Sequence, residues 1–408
     1  MGFPGSHPYA TVLHNRTDDA AEAQSMAGHD RARGHDLAAL RGLNTAVVLR
    51  SLRQESPQTV SRLTGSTGLS RPTVEVLVEE LTAQGWIAET TAPPAVRSPG
   101  RPARRLRFRA EAGHVVGVDI GLKKLVLLLS RLDGEIVARH REDFPADLTG
   151  AKRIELLRTR LRAFLADHRL GPHDVWSVGI GVPGMVDDTG RIRSVIVPDW
   201  TDLDLARRLA DELPCPVLAE NDVNLATLAE HWQGAAELAD DVACVLVGRR
   251  ISCGVMIDGR LHRGRRGGAG ELGILPQLGL NEAGDALGWD GDRLPGESET
   301  DALARAVRAE HPKALAVLDR YLAGVAPGIA ALVLALDPEL LVLSGALSPI
   351  GDPLGPLLAA HLSPLTLHVP RIAVSTLGRE GVALGAVRRA LDEVDTHLLD
   401  GAGPSRRR

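Results

Sequence analysis

The chain of 408 residues is poor in aromatics and cysteine and has no long apolar run. Its three cysteines, Cys215, Cys244 and Cys253, include no C-x-x-C pair. An odd, sparse set builds no disulfide framework, so a reducing cytoplasmic compartment is expected. No apolar run reaches the length of a bilayer span, and no membrane partner is expected. The first residues lack a basic segment leading into an apolar stretch, which argues against a signal peptide. Residues 1–36 also lack a helical period and are expected to be a disordered leader, with 396–408 a disordered tail. Aromatics are only 3% of the chain, while Ala, Leu, Val, Gly and Arg dominate.

What remains is ordinary globular composition, 44% hydrophobic and 24% charged. The length exceeds what one core supports, so two or three domains are expected. The net charge of −5 is unevenly spread. Residues 37–110 hold 11 Lys+Arg against 5 Asp+Glu, a net of +6, whereas residues from 111 onward carry −9. A basic block on an acidic chain points to an anionic partner for that block alone.

Within the basic block, Leu40, Leu43, Val47, Val48 and Leu52 recur at helical spacing and predict a first helix over 37–54. Ser56-Pro57 reads as an N-cap followed by proline at the first position of a short helix over 58–64. Gly65 to Gly68 supplies a turn. Ser70 then caps a third helix, with Arg71 and Pro72 in its first turn. Val74, Leu77, Val78 and Leu81 lie on one face, and Gly85 is the stop signal. Helix, tight turn and capped helix form a helix-turn-helix pattern, although three-helix domains of other kinds share such spacing. The N-terminal residues of the last helix, Ser70, Arg71 and Thr73, with Glu75 beside them, would enter a major groove. Arg71 suits phosphate or a guanine edge. Residues 86–89 and 105–108 alternate like the two strands of a wing. Six arginines fall between Arg97 and Arg109 with no acid among them. The Gly100-Arg101-Pro102 tip suits insertion of Arg101 into a minor groove, with Arg104 behind it. Residues 37–110 are therefore expected to be a winged helix-turn-helix that binds a double-stranded DNA operator.

From Val115 the pattern changes to buried strands, hairpins and helices. Two similar β-β-β-α-β-α rounds predict an α/β body of two lobes with a cleft between them, over about 111–234 and 235–395. Val116-Gly-Val-Asp-Ile-Gly121, Gly181-Val-Pro-Gly184, Glu220-Asn-Asp-Val-Asn224, Asp258-Gly259 and Ala269-Gly-Glu-Leu-Gly273 follow one another in that order. As an ordered set they resemble the ROK family, which groups repressors with sugar kinases. Gly100-Arg101-Pro102 upstream is similar to its repressor members.

The resemblance implies an actin-like, hexokinase-type fold with sugar and ATP in the cleft. It makes Asp222 the counterpart of the general base, and Asn221 and Glu271 the partners of sugar hydroxyls. From the residues alone, Asp222 reads rather as a helix N-cap and Glu271 as a surface acid. Asp119, Gly121 and Lys123 fall at the first phosphate loop, and Gly248 and Gly254 at the second. Both loops depart from the kinase pattern. Leu122-Lys123 replaces Gly-Thr, with Lys124 still close, and Arg249 and Arg250 replace small residues. Side chains there would crowd a nucleotide, though arginines suit some other anion. Ile274 stands where a histidine is expected, and residues 275–297 hold neither Cys nor His. No zinc or other metal is therefore expected, and no cofactor.

The expected function is a transcriptional regulator, most simply a repressor. It would be a homodimer or homotetramer whose degenerate kinase-like body binds a small-molecule effector, such as a sugar or sugar derivative, without phosphorylating it. An active sugar kinase with an accessory DNA-binding domain is the enzyme alternative. A constitutive DNA-binding protein without effector is the third.

Overall fold

In the computed structural model of the chain the described residues are 37–90, 104–194 and 196–399. The leader 1–36, the wing tip with Arg101, and residues 400–408 of the expected tail lie outside them.

The N-terminal module runs α1 (Leu37–Gln54), β1 (Gln58–Thr59), α2 (Val60–Thr67), α3 (Arg71–Ala83), β2 (Ile87–Thr90) and β3 (Arg105–Phe108). Its sheet has the order β1-β3-β2. Ser70 caps α3 by accepting from the Thr73 amide, and Val74, Leu77, Val78 and Leu81 are buried as the periodicity predicts. Two local expectations are corrected. The segment after Ser56-Pro57 is a strand, because the Gln58 side chain is buried and donates to the Ser51 and Glu55 carbonyls, tying down the end of α1. Ser56 accepts from the Phe108 amide of β3 instead of capping α2, whose cap is Thr59. Gly65 lies inside α2, and Gly68 alone turns the chain, at φ +69°.

The first face of α1 is also redistributed. Val48, Leu49 and Leu52 are buried, while Leu40, Leu43 and Val47 are exposed at 43, 49 and 39%. A helix period identifies a stripe, but not how far along the helix that stripe is covered.

The first lobe contains β4 (His114–Ile120), β5 (Lys124–Arg131), β6 (Ile136–Asp143), α4 (Gly150–Asp167) and β7 (Val175–Val182). A small sheet of β8 (Met185–Val186), β9 (Arg191–Arg193) and β10 (Thr201–Asp204) follows, then α5 (Leu205–Leu209), β11 (Val217–Asn221) and α6 (Asp222–Gln233). The main sheet has the order β11-β7-β4-β5-β6, with β11, β7 and β4 parallel and the rest antiparallel.

The second lobe repeats the plan with β12 (Val242–Leu246), β13 (Ser252–Ile257) and β14 (Arg260–Leu261). It continues through α7 (Leu280–Ala286), α8 (Glu299–Arg308), α9 (Pro312–Leu336), β15 (Leu340–Ser344), α10 (Leu354–Leu362) and β16 (Arg371–Val374). Its sheet order is β14-β13-β12-β15-β16. Among the described helices, α9 alone is long and apolar enough to cross a bilayer. Here Leu318, Leu322, Val325 and Ile329 are buried in one core with β12 and β15.

The last helix, α11 (Gly381–Leu399), overturns the expected division of the lobes. It returns to the first lobe and runs four residues past 395. Gly117 and Gly179 allow this, since a Cβ there would lie 2.2 Å from the Ala383 carbonyl and 2.1 Å from the Ala386 carbonyl. Periodicity reveals an apolar helix face but not which sheet it covers.

The N-terminal module and the first lobe share a single core. Trp86 stacks on Phe108 at 6.2 Å and meets Trp176 of β7 edge-on at 5.0 Å. Leu391 and Val394 of α11 belong to the same cluster. Arg53 of α1 donates to the Asp395 carboxylate and the Leu132 carbonyl, and lies over the Phe108 ring at 5.7 Å. Replacing Trp176 with Ala should cost about 3–5 kcal/mol. Hydrogen exchange should then show α3 losing protection along with β7, and unchanged protection in α3 would refute a common core.

Candidate functional site

Two places gather the residues singled out by sequence. The first is the outer end of α3. Ser70 and Thr73 hydroxyls lie 2.8 Å apart, so the capping pair is mutually bonded. Arg71 Nε donates to Glu75 at 2.9 Å, and the arginine side chain is 65% exposed. Such an exposed pair contributes little to stability and is readily exchanged for another anion. Val76 stands on the same outward face, about half exposed. The sequence reading passed over it, and an outward apolar side chain on such a helix suits a thymine methyl group. Arg104, at the start of the described wing, is exposed and paired with Glu89.

The second place is the cleft between the lobes, where a cavity of about 350 Å³ is lined by Asn221, Asp222 and Glu271 together. The junction of β11 and α6 explains their placement. Asn221, not Asp222, is the N-cap: its Oδ1 accepts from the Val223 and Asn224 amides at 3.0 and 3.3 Å. Its Nδ2 donates to the Gly184 carbonyl at 2.9 Å. The Asp222 carboxylate is thereby left to face the cavity, with only the Val223 amide donating to it, at 2.8 Å. Burial, and next the nearby Asp119 carboxylate, push its carboxyl up to about 7. Lys124 pulls the other way, and Glu271, itself raised by burial, adds to the upward push.

The two segments expected to be phosphate loops are built differently from expectation. Asp119 is buried and ion-paired with Lys124 at 2.5 Å, whereas Lys123 is exposed and lies away from the cavity lining. Leu122 lines the cavity in place of a small residue. Arg153 of α4, which the sequence reading missed, fixes this turn from behind. Its guanidinium donates to the Gly121 and Leu122 carbonyls at 2.8 and 2.9 Å, and to Leu148 and Ala146 at 2.8 Å each. Its signal is an arginine on the apolar stripe with Ile154, Leu157 and Leu161. In the second loop the Gly248 amide donates to the Tyr321 hydroxyl at 2.8 Å, which in turn donates to the Gly248 carbonyl at 3.1 Å. Arg249 turns away to Glu299 at 2.7 Å, while Arg250 lines the cavity. Gly254 is not in the loop at all. It lies within β13, where a Cβ would meet the Thr227 hydroxyl at 2.1 Å, so its smallness serves the packing of α6.

Three further features escaped the sequence reading. Glu220 is buried, accepts from the Asn221 amide and Asn224 side chain, and pairs across the lobes with Arg263. Asn281 holds the turn after Glu271 by donating to the Gly273 carbonyl at 2.6 Å. Arg193 of β9 lines the cavity, as do Arg250 and Ile274.

Residues 115–282 match the ROK family. The xylose repressor of Bacillus subtilis (strain 168) is 29% identical over 236 residues, covering 57% of this chain and 60% of that protein. The glucokinase of Halalkalibacterium halodurans is 27% identical over 309 residues, covering 66% of this chain and 92% of that protein. The alignment thus spans about 60% of the length of the repressor relative. Among solved structures, a ROK family transcriptional regulator described as a homolog of the E. coli MLC protein aligns with a TM-score of 0.69. It is 21% identical, with 89% of this chain and 100% of that one covered, a likeness of fold.

The raised Asp222 carboxyl makes stability depend on pH. The native state holds this proton more tightly than the unfolded chain. The linked stabilisation is therefore complete below the ordinary carboxylate range and is lost as pH rises through about 7. Asp222→Asn removes the titration. Its Tm relative to the parent should rise by about 2–4 °C between pH 5 and pH 8. A difference independent of pH would contradict the assignment.

Proposed function

We propose that the chain, whose residues 115–282 match the ROK family, is a DNA-binding transcriptional repressor whose cleft binds a sugar or sugar derivative. The observation that carries this reading is the outward N-terminal end of α3, with Ser70, Arg71, Thr73 and Val76, on a module of net charge +6. The similarity to a xylose repressor supports it. Arg71, Arg101 and Arg104 contact the duplex, the first in the major groove and the others from the wing. Two modules of a homo-oligomer read half-sites about one helical turn, or a multiple of it, apart. The effector acts by binding the open and closed arrangements of the lobes with different affinity. It lies against Asn221, Asp222 and Glu271. The protein works in the cytoplasm, where its operator is.

The body does not transfer phosphate in this reading. Leu122 and Arg250 occupy space that small residues would leave to a nucleotide, and the Gly248 amide is already engaged by Tyr321. Phosphoryl transfer depends on close positioning of the phosphates and Mg²⁺, so such losses weigh more against catalysis than against ligand binding. One observation favours the enzyme alternative: Asp222 faces the cavity with a carboxyl near neutrality, as a general base requires. The glucokinase relative points the same way.

With the bound sites identified by genomic footprinting, Arg71→Ala should weaken operator binding by about 1–3 kcal/mol. Arg104→Ala should weaken binding more evenly across sequences and reduce the salt slope by about one. Unchanged affinity in both variants, with circular dichroism intact, would refute the docking. Phosphorylation of any hexose or acetylated amino sugar from ATP, lost in Asp222→Ala, would establish the kinase instead.

A further inference from the structure

The outward face of α3 carries little positive charge. Arg71 is its one cation, against Glu75, Glu79 and Glu80, a net of −2 (1 minus 3). The buried stripe of Val74, Leu77, Val78 and Leu81 fixes which side chains point away from the module. They are Arg71, Pro72, Glu75, Val76 and Glu79, all exposed. The Glu75 carboxylate accepts from Arg71 Nε at 2.9 Å, and Val76 beside it is 49% exposed. The net charge of +6 on residues 37–110 therefore lies elsewhere. It sits on α1, with Arg41, Arg50 and Arg53, and along the wing, where six arginines fall between Arg97 and Arg109.

This separation divides two tasks. Cations draw the module to the phosphates of any sequence. A carboxylate in the groove is repelled by those phosphates unless a base edge supplies it with a donor. Guanine and thymine present only acceptors in the major groove, and the amino group of adenine stands beside the N7 acceptor. The amino group of cytosine is the partner that suits a glutamate. For an outward valine the matching feature is the methyl group, which thymine alone offers. We propose that α3 reads a cytosine through Glu75 and a neighbouring thymine through Val76, and that Glu75 acts as much by rejecting wrong sites as by holding the right one. On the operator the Arg71–Glu75 pair opens, Arg71 turning to the duplex while cytosine takes over the carboxylate. At a site without that cytosine, Glu75 either enters the groove without a donor or keeps Arg71 from the duplex. A contact is lost both ways, which is discrimination by penalty. The inference rests on the reading of the module as DNA-binding and goes beyond it by naming the bases.

The test is selection of bound duplexes from a random library by the full chain, repeated with Glu75→Gln and Val76→Ala. Both side chains are exposed, so circular dichroism and melting temperature should match the parent. The parent should select half-sites with a fixed cytosine and a fixed thymine within two base pairs of it. In Glu75→Gln the cytosine should give way to adenine, whose edge matches an amide, while the thymine stays. In Val76→Ala the thymine preference alone should fade. On the selected operator, exchanging that C·G pair for A·T should weaken the parent about tenfold and strengthen Glu75→Gln. Deoxyuridine in place of the thymine removes only the methyl group. It should weaken the parent about threefold and leave Val76→Ala unchanged. Glu75→Gln should bind random duplex about threefold or more tighter than the parent, a gain that shrinks as salt is raised. Base preferences that survive both substitutions would overturn the inference and leave DNA binding standing. Weaker binding of Glu75→Gln to random duplex would overturn the rejecting role of the carboxylate. A parent chain that binds no duplex even at low salt would take down the DNA-binding reading as well.

Discussion

The contact of Trp86 with Trp176 decides how the rest of the molecule can work. A module of some seventy residues has little interior of its own, and this one completes its core with side chains from β7 and α11. Arg53 strengthens the joint by satisfying a carboxylate and a carbonyl of the first lobe in a largely buried position. Burial lowers its pKa, and the Asp395 carboxylate opposes that shift. The helix α3 is therefore carried on the first lobe as one body. In the function we propose, a ligand in the cleft acts on α3 through motion of the second lobe against that body.

Among the described residues the lobes meet through the packing of α6 on β13, where Gly254 lies against Thr227, and through ion pairs. Glu220 meets Arg263 near the cleft, and Arg379, just before α11, meets Asp301 and Ser298 of the second lobe. Ion pairs of this kind are directional and exchangeable, unlike the dispersion contacts of the shared core. The lining of the cleft is held from behind by buried polar groups. Arg153 clamps the turn at Leu122, and Asn221 clamps Gly184.

Much of this was legible in the residues. The Ser70 cap, the buried face of α3, the wing strands, most strands of the two five-stranded sheets and the grouping of Asn221, Asp222 and Glu271 follow from local rules and ordered motifs, whereas β16 and the small sheet β8–β10 do not. What escaped was set by distant partners. Leu40, Leu43 and Val47 have the spacing of a core face, yet the body covers only the later turns of α1. Gln58 reads as a surface residue but is buried because its amide closes the end of α1. Arg153 looks like a solvated cation until the carbonyls of two separate turns converge on it. Gly254 looks like a loop glycine, whereas α6 needs the space. The destination of α11 depends on which sheet bears glycines at the right register, information spread over the whole chain.

Tyr321 has a consequence for any attempt to return this scaffold to phosphate chemistry. Its hydroxyl is buried, both donates to and accepts from Gly248, and loses its proton far less readily than usual because burial disfavours the phenolate. Grafting glycines over Arg249 and Arg250 would open space but leave that backbone amide spoken for. The anion would still have to evict a well-satisfied neighbour from the interior of the second lobe. Opening this loop to an anion would require changes in two layers at once, beyond the reach of a single substitution.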